Sequence, residues 1–578
     1  MPDSTQIVPK TNHQSIIAIL LTLFILLILL TGCGQKGPGE NTPVHLDSVI
    51  FTRTGVYLQG GHQAGIQEVS IEQDGQALAH AAYPAPRKTV LMDLDWQPGT
   101  RYELKAVTNG GPLETAVYAP GKPSAVKLAE IPLEDLDKGE MEYLYYAWRG
   151  AQVRFSPDGN SIGVGSKGGY VYLISVPEKR IMWSHKIPEG RVAKVAFTDD
   201  GRLVAAEESC DGNVYCFDVA TGKVLWTYCS ADHFKGPQTG ITQRGMFKNY
   251  PFMGWGLRID KQNNPYVMVR QTYEKTVDGR QQSITTSLVS KLDTATGKPI
   301  WTFPINGSAW GLTLSEDGRT IFPAIGWAKT ARLSVLDTAT GKPLWQHTFT
   351  CPQGQASRWG TGFEGDMSPD GHYLVINQIS PNVTHVFNNA KSTQTGQAEL
   401  LWQKQFFKPL DVGGVPIDTH SIHLNLTQSE IIFSTYSART MSRSANPSAS
   451  PAQHPDADTL FVYDYEGRLK WKWKMGDGTW NSESALAADE SYLVIPLGIV
   501  PANTLSNPED MGAYVFNLKA SGGATAKLNW FYHTSGFAYK SDISPDGRHI
   551  VVLEGPYDID PDPERENIVG RHRLLILT

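Results

Sequence analysis

Cysteine is scarce in this chain of 578 residues, and the five that occur, Cys33, Cys210, Cys216, Cys229 and Cys351, form no CxxC, no CxxCH and no adjacent pair. Zinc ribbons, thioredoxin-like redox centres and c-type haem attachment all need such spacings, so none of them is encoded here. Charge is sparse as well. Only 19% of residues are charged and the formal net charge is −7, with no run of Lys or Arg. A protein that binds nucleic acid through its charge must neutralise phosphates with clustered cations, which removes nucleic acid from the partners to consider. No HExxH and no Walker loop occurs, and with them go the zincin and phosphate-cradling readings. Long apolar runs are missing too. The candidate, Ile16 to Leu30, is shorter than the roughly 18 residues of a bilayer-spanning helix.

The chain has instead 55 Gly, 36 Pro and 15 Trp, a profile of tight turns and aromatic seams rather than helical bundles. Its length predicts two or more folded units. One phrase recurs: Asp293 to Trp301 reads DTATGKPIW, Asp337 to Trp345 reads DTATGKPLW, and Asp218 to Trp226 reads DVATGKVLW. The Asp carboxylate is suited to accept hydrogen bonds from the turn's own N–H groups, and Gly222, Gly297 and Gly341 supply the positive φ that other residues resist. Trp226, Trp301 and Trp345 are then expected in the seam against the neighbouring copy, largely buried, each Trp→Ala change costing roughly 3–5 kcal/mol. Looser copies end at Trp402, Trp471 and Trp530. A second phrase opens each repeat: FSPDG at 155, FTDDG at 197, LSEDG at 314, MSPDG at 367 and ISPDG at 543, with weaker equivalents near Asn263, Gln428 and Asp489. These tight turns recur every ~40–60 residues, the period of four-stranded propeller blades.

The Asp, Gly and Trp spacing resembles the tryptophan-docking repeat of the quinoprotein-like β-propellers, a family that includes PQQ-dependent alcohol dehydrogenases and the propeller lipoprotein of the outer-membrane barrel-assembly machine. The resemblance implies an all-β chain whose larger part is a β-propeller of eight blades, with seven as the reserve. The dehydrogenases of that family hold PQQ against a Trp and a vicinal disulfide and bind Ca²⁺ through carboxylate and amide side chains. No adjacent cysteines occur here and no matching Glu, Asn and Asp set can be assigned. The expected role is therefore non-enzymatic, without catalytic residues, cofactor or metal, and a PQQ- and calcium-dependent oxidoreductase is the alternative.

The N-terminus reads as an address. Lys10 precedes the apolar run, which ends in Leu30, Thr31, Gly32 and Cys33. That tetrad looks like the lipobox of bacterial lipoproteins, which implies a lipid on Cys33 and residues 1–33 as signal peptide plus anchor. Residues 34–43 follow as a tether. From 44 to 119 short alternating strands predict a small β-sandwich, and Trp96 to Ala106, WQPGTRYELKA, resembles the late-strand signature of fibronectin type III and related Ig-like modules. Residues 120–138, with Pro120, Pro123 and Pro132, read as a linker, and 139–578 as the propeller. The last repeat lacks its Trp-bearing strand, and MEYLYYA at 141–147 is the expected donor of that strand, closing the ring.

Loop lengths separate two faces. The PDG and TGK turns are short and share one face, while long insertions at 227–251, 271–286, 346–362, 403–419, 435–458, 498–511 and 555–571 fall on the other, the face on which binding is expected. There Trp255, Trp310 and Trp359 each precede a Gly just before an innermost strand, with Trp480 as a looser fourth. Such rings suit stacking on a glycan or gripping a partner's side chain, and packing in the axial channel is the other way to place them. His420 and His423, three apart on a strand, are expected on opposite faces and so not to share a metal. The acidic run DIDPDPERE at 558–566 lacks the Gly and final Glu of a calcium loop. The reading is an exported lipoprotein, lipid-anchored to the cell membrane or outer membrane, whose propeller binds an envelope protein or glycan.

Overall fold

The computed structural model describes residues 46–136 and 152–578 apart from interruptions, the longest being 235–241, 351–362, 438–453, 500–510 and 559–567. Cys33, Trp359, residues 141–147 and the acidic run beyond Asp558 lie outside the described residues. The chain divides into two compact units, the second holding Pro120–Thr578 together with Ile50–Gly55 and Trp96–Gly99.

N-terminally, Leu46–Thr52, Gly55–Gly60 and Thr89–Asp93 form a three-stranded sheet, and Gln76–Arg87, Ile66–Gln73, Arg101–Thr108 and Gly111–Tyr118 pair in that order as a four-stranded one. Alternation decides which residues are inside: Val69, Ile71, Tyr102, Leu104 and Ala106 are buried, while Glu68, Glu103 and Lys105 between them are exposed or half-buried, Lys105 pairing with Glu72 at 2.6 Å. Tyr102, in the stretch that carries the Ig-like signature, is 1% exposed.

The second unit is a succession of antiparallel sheets, eight of them with four or more strands among the described residues; the first seven are laid down from inside outward as strands A to D, and the eighth takes its outermost strand from the start of the unit. Their innermost and outermost strands are Gln152–Phe155 and Arg180–Lys186 in sheet I, Arg191–Phe197 and Val224–Cys229 in II, Phe252–Ile259 and Pro299–Asn306 in III, and Ala309–Leu314 and Pro343–Thr350 in IV. Phe363–Met367 and Leu400–Gln405 bound sheet V, Thr419–Leu426 and Leu469–Lys474 sheet VI, and Thr479–Asn481, continued on the same edge by Ala485–Leu486, and Leu528–His533 sheet VII. Sheet VIII runs from Phe537–Ile543 to Lys127–Pro132. Each sheet packs on the next, and the innermost strand of VIII packs on that of I, which makes a closed all-β propeller.

The repeat phrase explains the seams. In the turns, Asp218, Asp293 and Asp337 each accept from the N–H and the hydroxyl of the Thr three residues on, at 2.6–2.8 Å, and Gly222, Gly297 and Gly341 sit at φ 70, 68 and 69. The Trp of one sheet lies on the turn of the next. A Cβ on Gly297 would stand 2.5 Å from the Trp226 ring, and one on Gly341 2.5 Å from the Trp301 ring. The indole N–H then donates to the carbonyl beside the turn Asp: Trp226 to Thr294 at 2.8 Å, Trp301 to Thr338 at 3.0 Å. Trp226 and Trp345 are 8% and 2% exposed, whereas Trp301, expected to be largely buried, is half-buried. Trp183, which the sequence reading passed over, does the same in sheet I, donating to Val219 at 2.8 Å. Its turn has Lys179 at φ 55 in place of a Gly, which hides the phrase.

A β-bulge precedes each of these tryptophans. In sheet II, for example, Cys216 faces Trp226 and Phe217 faces Val224, leaving Leu225 as the extra residue. The same slip adds Met182, Ile300, Leu344, Leu401, Lys470 and Asn529 before the other six. A bulge twists the outermost strand and spoils it as a template for further pairing.

Ring closure differs from the expectation. Residues 127–132, read as linker, pair with Arg573–Leu577 as the outermost strand of sheet VIII, with Leu128 as the bulge and Ala129 at the tryptophan's place. This seam lacks an indole. Glu134 binds across it instead, accepting from the Gly168 N–H at 3.1 Å and the Tyr172 hydroxyl at 2.8 Å. Burial alone would raise the Glu134 carboxyl, but hydrogen bonds from His572 and Tyr172 outweigh it and hold the group below its ordinary value. A chain shortened to begin at residue 139 should therefore melt several degrees below one that begins at 121. Equal melting temperatures would contradict this closure.

Candidate functional site

Antiparallel A to D order puts the A–B and C–D turns on one face and the B–C and D–A connections on the other. The second face carries added structure: Pro265–Val277 and Arg280–Leu292 run on past their neighbours as a ribbon covering the stretch read as an insertion at 271–286. Hairpins Thr242–Arg244 with Phe247–Asn249, and Leu410–Val412 with Val415–Ile417, lie in D–A connections.

Trp255 and Trp310 lie within innermost strands III and IV, each as the extra residue of a β-bulge, between Gly254 and Gly256 and between Ala309 and Gly311. The same bulge recurs at Ala193, His423 and Tyr539 in sheets II, VI and VIII. Trp480 is in the innermost strand of VII, paired with Gly498. The equivalent residue of sheet VIII, Tyr539, is fully buried in the VIII–I seam, its hydroxyl 2.8 Å from His572 Nε2. The bulge also voids the alternation argument for His420 and His423, because His423 is itself the extra residue and regular alternation does not hold there.

Three other sequence features are settled by position. Cys216 faces Trp226 and Cys229 faces Asn213, so these two thiols are not opposite one another, and Cys216 is a free, buried thiol. Burial pushes the Cys216 thiol up to about 12. Gly159 to Gly163, GNSIG, spells a GxSxG, but it enters a strand rather than a helix and the Ser161 N–H donates to Ser156 Oγ at 2.9 Å, so it is a propeller turn and not a nucleophile elbow. Among the described residues no group of three or more His, Cys, Asp or Glu is placed to share a metal ion.

The sequence reading missed a polar layer around the axis. Two residues before the turn position held by Ser156 in sheet I, the eight innermost strands place Arg154, Ala196, Arg258, Thr313, Asp366, Asn425, Ala485 and Asp542. Several of them tie one sheet to the next: Asp542 accepts the Phe155 N–H at 2.8 Å and lies 3.8 Å from Arg154, and Asn425 donates to Ser484 at 2.7 Å. The signal was the fixed offset from the turns, which only becomes a layer once the ring is closed. Asp366 is the unusual member. Burial pushes its carboxyl up to about 6, against the opposing pull of the Met367 N–H and the Arg258 charge. A raised carboxyl favours the fold below its unfolded pKa, and that advantage is lost as pH rises through about 6. Asp366→Asn should thus leave stability at pH 4 nearly unchanged and add about 2 kcal/mol at pH 8. Urea unfolding at the two pH values checks this.

Comparison with known proteins gives the following. The family model described as PQQ_2, outer membrane protein assembly factor BamB, matches residues 137–245 and 285–384, well under half of the chain. The human U3 small nucleolar RNA-associated protein 18 homolog is 33% identical over 92 residues, which is 16% of this chain and 16% of that protein. Among solved structures, the C-terminal WD40 domain of Sif2 covers 79% of this chain and 99% of its own at 10% identity and a TM-score of 0.46. BamB from Moraxella catarrhalis covers 78% of this chain and 99% of its own at 14% identity and a TM-score of 0.43. Over the matched residues the repeat geometry described above is similar to that of PQQ-type repeats.

Proposed function

We propose that this chain is exported, anchored by a lipid on Cys33, and uses its propeller as a non-enzymatic scaffold for another envelope protein or glycan, the N-terminal sandwich acting as a spacer. The observation that carries this reading is the gathering of the ribbon and hairpins on one face of a ring whose other face has only short turns. The match to a family described as an outer membrane protein assembly factor supports it, as does the Leu30, Thr31, Gly32 and Cys33 sequence after an apolar run. Trp255, Trp310, Trp359 and Trp480 are the residues proposed to contact the partner.

Cys33→Ser should leave the precursor unprocessed by the lipoprotein peptidase. In membranes, capture of a partner by the propeller should be lost in Trp255→Ala, Trp310→Ala and Trp359→Ala variants whose melting temperature is unchanged. Normal processing of the Cys33 variant would refute the anchor. Capture that survives all three Trp substitutions would refute the site.

A further inference from the structure

The seam between sheets IV and V carries two imidazoles at its elaborated-face end. That end is marked by Thr350, where the outermost strand of sheet IV stops, and by Gln378 and Val383, where the second strand of sheet V (Tyr373–Gln378) stops and its third (Val383–Asn388) begins. Just inside it stand His347 of sheet IV and His385 of sheet V. Phe349 lies between them, its ring centroid 4.7 Å from that of His347 and 4.9 Å from that of His385, both edge-on, and His347 also meets Phe387 edge-on at 5.2 Å. The surrounding seam is apolar, with Phe322, Leu333, Val335, Phe363, Leu374 and Ile376 buried together.

This setting suits a neutral ring and not a charged one. His385 is 6% exposed, its Nδ1 has no hydrogen-bond partner among the described residues, and its Nε2 has Gln378 Oε1 at 3.4 Å. An imidazolium is a donor at both nitrogens and would leave a buried N–H without an acceptor. Among the described residues no Asp, Glu, Lys or Arg faces the pair from either sheet, and the charge that bears on His385 is that of His347. Burial lowers both histidines, and for His385 the nearby His347 adds to it, bringing the ring to about 4. The far end of the seam is pinned by bonds that do not titrate: Trp345 Nε1 donates to Asn389 Oδ1 at 2.9 Å, and Asn389 Nδ2 to the Gly371 carbonyl at 2.8 Å.

We propose that the elaborated-face end of the IV–V seam is an acid-sensitive joint: protons on His347 and His385 put two like charges without a counter-ion into an apolar seam, and the two sheets part there while the Trp345–Asn389 bond holds the other end. An imidazole held low in the closed seam takes a proton more readily once the seam opens. The closed form is therefore fully favoured above the ordinary histidine value of 6.5 and loses that advantage as pH falls through 6.5 towards about 4. Sheet I supplies a comparison. His185 stands two residues after Trp183, as His347 does after Trp345, but it meets Tyr215 and Phe217 rather than a second imidazole. The joint does not depend on the partner proposed for the neighbouring face.

The test is amide hydrogen exchange of the full chain at pH 7.5 and 4.5, corrected for intrinsic exchange and read by mass spectrometry. Protection of Tyr373–Gln378 and Val383–Asn388 should fall at least about tenfold at the lower pH, while Arg202–Glu208 and Asn213–Asp218 in sheet II change less than about threefold. In the double variant His347→Gln, His385→Phe the sheet V strands should keep their protection at both pH values, since the phenyl ring gives up only the 3.4 Å contact to Gln378. His347→Gln alone, at the half-buried position, removes the like charge and should recover at least about threefold of the lost protection. Protection that does not change with pH, a loss shared equally by sheet II, or a loss that persists undiminished in these variants would overturn the proposal.

Discussion

The indole ring of one sheet lying on a glycine of the next is the contact on which the rest of this molecule depends. It fixes three things together. The glycine must be bare, because a Cβ there would stand 2.5 Å from the ring at Gly297 and Gly341. The turn must be left-handed at that glycine, which the Asp and Thr side chains arrange by binding the turn N–H groups. The Trp must follow a bulge, which places its N–H against the carbonyl beside the turn Asp. A sheet that met only one of these conditions would pack on its neighbour without a defined register.

The ring closes where that device is absent. Ala129 stands at the place of a tryptophan, and a buried carboxylate from Glu134 binds the first sheet instead. Arg573 adds ion pairs to Glu554 and Glu130 on the same sheet. A buried charge is held only while its partners stay in place, so this seam relies on polar geometry where the others rely on apolar contact. The two faces diverge in the same spirit. One has been extended by ribbons and hairpins, and the other keeps short turns around an axial layer in which Arg154, Arg258, Asp366 and Asp542 meet.

The all-β repeat fold was legible in the sequence because its chemistry is local. Asp, Gly and Trp lie within nine residues in DTATGKPIW, and the turns beginning at Ser156 or Ser315 lie within five. The closing strand was not legible, since Lys127–Pro132 has neither a Trp nor a turn phrase and its partner lies at the far end of the chain. Trp183 was hidden by Lys179, a residue that adopts φ 55 without advertising it. The axial layer escaped for a different reason: Arg154 and Asp542 are far apart in sequence and become neighbours only through closure. Trp255 and Trp310 were read as just before innermost strands and lie within them, each as the extra residue of a β-bulge that leaves no mark in composition or alternation.

The most direct measurement is a double-mutant cycle between Trp226 and Gly297, read by reversible urea unfolding. Gly297→Ala alone should cost both the left-handed backbone strain and the clash with the ring, roughly 2–4 kcal/mol. In a Trp226→Ala background the clash has nothing to meet, so the same change should cost only about 1 kcal/mol, the strain of an alanine at that φ. A coupling of 1 kcal/mol or more is the result the docking account predicts. Additive costs, with Gly297→Ala equally harmful whether or not the indole is present, would contradict it.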